Sequence, residues 1–103
     1  MRKAKVFVDG ILAGELQEVT KGKQYRFVYR DNYVGLAVSL TMPTTQKIYD
    51  FDRFPPFFEG LLPEGVMLEA LLRKQKLDRD DYMSQLLVIG KDMVGNVTVE
   101  AIE

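Results

Sequence analysis

The apolar positions of this chain change period once, and the change divides it. Over residues 4 to 8, Val6 and Val8 fall on one side of an extended backbone and Lys5 and Phe7 on the other, which is the alternation of a half-buried strand. Asp9-Gly10 follows as a two-residue hairpin signal. Ile11 to Val19 then reads as the returning strand, with Gly14 placed to mark a bulge. Lys21-Gly22 makes a second turn, after which Tyr25, Phe27 and Tyr29 alternate with Arg26 and Val28, so one face of the third strand is a row of rings directed at the core. Leu36, Val38 and Leu40 alternate with Ala37 and Ser39 in a predicted fourth strand that Met42-Pro43 ends. Thr44 to Asp52 keeps neither period and is predicted to be a loop that clips onto the core through Ile48, Tyr49 and Phe51.

Beyond residue 54 the spacing turns helical. The joint is Pro55 to Gly65, which gathers Pro55, Pro56 and Pro63, Gly60 and Gly65, and the pair Phe57-Phe58. Pro56 suits the first position of a short helical turn and Pro63 the start of the next helix. Phe57, Phe58, Leu61 and Leu62 are expected to anchor this corner against the sheet. From Glu64 to Lys74 the apolar residues Met67, Leu68, Leu71 and Leu72 form a stripe assigned to the buried side, and Arg73, Lys74 and Lys76 lie at the negative end of the helix dipole. Asp78 to Asp81 supplies acidic caps for a second helix, in which Tyr82, Leu86 and Ile89 recur at helical spacing and Gly90 is expected to end it in a left-handed conformation. Lys91 to Gly95 reads as a turn, and Val97 and Val99 belong to a last strand. The order implies one α+β domain over residues 1–103, a small antiparallel β-meander sheet with two helices packed on one face and a final C-terminal strand.

Composition narrows the chemistry. A chain of 103 residues with 47% apolar content suits one modest core. Its 14 Lys and Arg against 15 Asp and Glu create no field that draws nucleic acid or an anionic membrane, so neither is expected as a direct partner. Neither cysteine nor histidine is present, which removes disulfides, thiolate metal sites and the commonest general base. No apolar run approaches the ~20 residues of a membrane-spanning helix and the start is not signal-like, so a cytoplasmic location is expected. The glycines do not form a phosphate-cradling loop, and Asp78, Asp80 and Asp81 lack the spacing of a calcium loop. Glu59 and Glu64 flank the corner, but no nucleophile accompanies them. No catalytic, cofactor-binding or metal-ligating residue is assigned and no enzymatic activity is expected; what remains is a binding part.

Three stretches carry a resemblance. Ser39-Leu40-Thr41-Met42-Pro43, then Phe57-Phe58-Glu59-Gly60-Leu61-Leu62-Pro63-Glu64-Gly65, then Leu86-Leu87-Val88-Ile89-Gly90-Lys91-Asp92-Met93-Val94-Gly95-Asn96-Val97-Thr98-Val99 resemble, in order, the N-terminal subdomain of HipA-type toxin kinases. The family pattern runs S-L-S-L/M-P, F-F-x-x-L-L-P-E/D and I-G-x-D-x-V-G-A-V, and this chain departs from it at Thr41 and Asn96. Phe57, Phe58, Leu61, Leu62, Pro63, Gly90 and Gly95 form its structural motif. The nucleotide loop and catalytic and metal-binding aspartates of such kinases are not among these residues. Read as a free-standing chain, the resemblance is to the HipS-like antitoxins of HipBST systems. It then implies a HipT-like Ser/Thr kinase toxin as partner, with a HipB-like helix-turn-helix DNA-binding protein in the same complex. The alternatives are an N-terminal piece of a full-length HipA-type kinase, or a structural interaction module without a kinase partner.

For a kinase partner the expected contact is Glu64-Gly65-Val66-Met67. Val66 lies off the helix stripe beside a proline-fixed corner, so it is either a rigid apolar protrusion or a packing residue of the corner. Glu64 adds a charge for the basic groups that kinases hold around nucleotide phosphates. Lys91 and Asp92, in the turn after Gly90, are the second expected contact.

Overall fold

The computed structural model describes residues 1–92 and 95–102; Met93 and Val94 of the predicted turn lie outside them. Five strands form one open antiparallel sheet: β1 Arg2–Val8, β2 Ile11–Thr20, β3 Gln24–Tyr29, β4 Ile48–Phe51 and β5 Val97–Ala101, in the order β4-β3-β2-β1-β5. Three helices follow β4, α1 Pro56–Glu59, α2 Gly65–Gln75 and α3 Tyr82–Ile89, and Gly90–Asp92 adds a 3₁₀ turn before β5.

The first hairpin forms where expected. Asp9 and Gly10 take φ of 51° and 79°, the paired positive values of a type I′ turn whose twist matches the flanking strands. The register of β1 on β2 slips between Val6 and Phe7, which leaves Ala13 as the extra residue of a bulge beside Gly14. Gly14 itself has no room for a side chain: a Cβ there would lie 2.8 Å from Phe27 Cζ and strike the Val28 carbonyl.

One face of the sheet is buried. Ala4, Val6, Val8, Leu16, Tyr25, Phe27, Tyr29, Val97 and Val99 point into a single cluster with Phe58, Leu62, Met83 and Leu86. Phe27 and Phe58 are fully buried with ring centroids 6.1 Å apart, each worth about 1.5–3 kcal/mol of burial. The Pro/Phe corner is therefore an anchor, chiefly through Phe58 and Leu62; Phe57 and Leu61 are only half-covered and pack at its edge. Phe54 and Pro55, which complete that corner, are buried as well.

Three expectations are corrected. The fourth strand is not residues 36–40 but Ile48–Phe51, inside the predicted loop, pairing with β3 from Tyr25↔Phe51 to Val28↔Ile48. Of the alternating trio only Val38 turns inward, at 4% exposure, because its N–H is held by the Tyr29 hydroxyl rather than by a neighbouring strand. Gly90 is not left-handed. It has φ −56° and ψ −31°, and its smallness serves close approach: a Cβ would lie 2.9 Å from both the carbonyl carbon and the Cβ of Val99. Met67, assigned to the buried side, is 72% exposed, for α2 sends only Leu72 fully inward and that side chain lies outside the main cluster.

Candidate protein-interaction surface

Two features of the fold position the surface around α2 and α3. The first is a charged cluster that ties the start of α3 to the sheet. Arg2 on β1 donates through Nε and Nη2 to both oxygens of Glu18 on β2, at 2.7 and 3.0 Å, and through Nη2 to Asp81 at 2.8 Å and Nη1 to Ser84 Oγ at 2.6 Å. Glu18 is 4% exposed and also accepts from the Gly22 N–H and the Tyr25 hydroxyl, each at 3.2 Å. Asp81 caps α3 by accepting from the Ser84 N–H at 3.1 Å, so the acidic cap read from the sequence forms at this residue. Burial pushes the Glu18 carboxyl up, but the Arg2, Gly22 and Tyr25 hydrogen bonds outweigh it and hold Glu18 below the usual carboxylate range. Asp81 is likewise held low, its burial offset by Arg2 and Ser84. Burial together with the Glu18 charge pushes the Tyr25 hydroxyl up to about 12.

The second feature is the corner itself. Glu64 is extended, at φ −127° and ψ 163°, and its side chain caps nothing; Gly65 follows at φ +58°. This left-handed step, which favours glycine, turns α2 so that its first side chains leave the core. Val66 is 84% exposed and Met67 72%. A groove of about 620 Å³ opens between α2 and α3, lined by Leu61, Pro63, Met67, Leu71, Ile89 and Asp92 among others. Of the contacts predicted from the sequence, Met67 from the corner and Asp92 from the 3₁₀ turn line this largely apolar groove together, with Lys74 as a second charge on its wall; Glu64, Gly65, Val66 and Lys91 do not line it. Lys91 is exposed beside it and pairs with Glu100 at 3.6 Å. Gly95, at φ +109°, holds a backbone conformation open to glycine. A second cleft, about 730 Å³ beside the β3–β4 edge, is lined by charges that neutralise each other, Arg26 donating to Asp50 at 2.6 Å.

Among the described residues no three acidic side chains gather in a metal-holding group, and no helix is long and apolar enough to cross a membrane. What this surface presents is a largely apolar groove with Val66 and Met67 exposed at the start of α2.

An open five-stranded antiparallel sheet with helices on one face defines a small α+β domain. The comparisons place it: residues 4–100 match the family of the HipA N-terminal domain, and the chain belongs to that family. It is similar to the solved structure of an N-terminal domain of HipA toxin, with a TM-score of 0.78 and 32% identity over 100% of this chain and 94% of that one. It is also 33% identical over 100 residues to an uncharacterized protein of Haemophilus influenzae, covering 97% of this chain and 92% of that protein.

Proposed function

We propose that this domain is a non-catalytic antitoxin that binds and neutralises a HipA-type Ser/Thr kinase in the cytoplasm, in a complex that also holds a HipB-like DNA-binding protein. The observation that carries the reading is the exposed Val66 at the start of α2, next in the chain to Met67, which lines the groove that includes Asp92. A pre-ordered apolar protrusion beside a groove loses little entropy on docking and has the character of an interface anchor. Support for a separate protein comes from the Haemophilus relative, 92% of which is covered by this one domain. The similarity to an N-terminal domain of HipA toxin favours a second reading, in which the same surface seats the domain on its own kinase core. In both, the groove faces a kinase.

The test is Val66→Asp. At 84% exposure the change leaves the melting temperature near that of the parent. Affinity for a HipT-like kinase from the same genome falls tenfold or more, equivalent to about 1.4 kcal/mol, and rescue of growth falls with it. A folded Val66→Asp chain that neutralises the kinase as well as the parent refutes the assignment of this corner.

A further inference from the structure

The two longer helices are held very differently. α3 has 8 residues and buries Met83, Gln85 and Leu86; Met83 and Leu86 join the main cluster, and Tyr82, Leu87 and Ile89 pack against it. α2 is longer, at 11 residues, yet buries only Leu72. Leu68 and Leu71 are half-covered and the rest of the helix is exposed. Among the described residues α2 adds no side chain to the main cluster or to the shell packed against it.

Polar ties repeat the contrast. The start of α3 is fixed to the sheet through Asp81 and Ser84, both bonded to Arg2. Among the described residues α2 has one ion pair, Glu69 with Arg79, which runs to the α2–α3 connection. Both partners are more than half exposed, where such a pair adds little. No side chain caps the start of α2. A single left-handed residue bounds it at either end, Gly65 at φ +58° and Lys76 at φ 55°, so the chain turns at both points and the helix between them is a discrete segment.

A helix in a protein owes most of its stability to the packing of its apolar face, and an isolated one shorter than about 12–15 residues is marginal in water. Met67 to Lys74 are good helix formers, which keeps α2 formed. Its undocking nonetheless uncovers little beyond Leu72 and, among the described residues, breaks no hydrogen bond to the sheet. An opening that exposes so little surface lies far below global unfolding in free energy and responds weakly to denaturant.

We propose that α2 opens as one unit while the sheet and α3 stay folded, a strap hinged at Gly65 and Lys76. The docked helix is the major form and the open one the minor. The consequence falls on the groove, because Met67, Ala70, Leu71 and Lys74 supply one of its sides against Ile89 and Asp92. Whatever shifts the docking of α2 therefore makes or removes the groove without unfolding the domain. The inference concerns the free chain and stands or falls apart from the kinase reading.

Native-state amide exchange of the full chain, followed by NMR with no partner present, tests it. After correction for intrinsic rates, the amides of Glu69 to Arg73 are expected to exchange at least about a hundredfold faster than those of β1 and β2, with one common protection factor and little response to dilute urea. Val6 is fully buried on β1, and its contacts survive in the open form. Val6→Ala is therefore expected to speed the sheet amides about tenfold or more and to leave the α2 amides within about twofold of the parent. Exchange of α2 in step with the sheet, in the parent or in Val6→Ala, makes the helix part of one cooperative unit and overturns the inference. Protection that falls away from the centre of α2 toward its ends marks fraying instead of a hinged opening, and overturns it as well.

Discussion

Gly90→Ala separates two reasons for a glycine at the end of α3. The backbone there is right-handed, φ −56° and ψ −31°, so on conformational grounds alanine stabilises by up to about 1 kcal/mol. Packing reverses the sign. The new Cβ lies 2.9 Å from the carbonyl carbon and the Cβ of Val99, closer still to the carbonyl oxygen, and Val99 is fully buried and paired with Val6 in the sheet. It cannot retreat without moving β5. Overpacking of this kind costs about 1–3 kcal/mol and occasionally more, and a contact against backbone belongs at the upper end. A net loss of about 2 kcal/mol corresponds to a melting temperature lower by roughly 10 °C in a domain of this size. Urea unfolding followed by circular dichroism measures it as a shift in midpoint at constant slope. Gly65→Ala is the control: at φ +58° with nothing within 4 Å of its Cβ position, it carries only the left-handed penalty of about 1–2 kcal/mol. A Gly90→Ala chain that melts within about 2 °C of the parent, or above it, refutes the close approach of Gly90 to Val99.

Two further outcomes follow from the core and the charged cluster. Phe58→Ala is expected to destabilise by about 3–5 kcal/mol and the half-covered Phe57→Ala by clearly less; equal losses in chemical denaturation refute the ranking. Glu18 and Asp81 have depressed folded pKa values, so their stabilisation is present above the ordinary carboxylate range and is lost as pH falls below about 4. Tyr25, raised to about 12, adds a loss as pH rises beyond about 10. Melting temperature against pH checks both limbs, and Glu18→Gln flattens the acid limb; an unchanged acid limb removes Glu18 from the account.

What the sequence made legible was local. The first hairpin rests on two adjacent residues, the aromatic face of β3 on a strict alternation, and the cap of α3 on an aspartate three positions before Ser84. What it hid was set by partners distant in the chain. Leu36 to Leu40 alternates as well as any strand, yet β4 is Ile48–Phe51, because the free edge of β3 is satisfied there. A glycine answers equally to positive φ and to close approach, and only the position of Val99 tells which applies at Gly90. Arg2 reaches Glu18 sixteen residues away and Asp81 seventy-nine away, separations that no periodicity reports.

The failures at Leu36, Leu40 and Met67 have a common physical form. At each, the pattern of apolar residues is that of a buried face, and the fold leaves the face uncovered, at 62%, 99% and 72% exposure. Periodicity records which side of an element avoids water; it does not record whether the cover comes from the same chain. Apolar side chains held out of the core add nothing to folding and expose a surface prone to association, while the backbone beneath these three is fixed, by tyrosine hydroxyls at the loop and by the helix at α2. A fixed, uncovered apolar face is what an interface looks like before its partner arrives. The corner of α2 is read by that argument, and Val66→Asp, at a side chain 84% exposed, weighs it against the kinase.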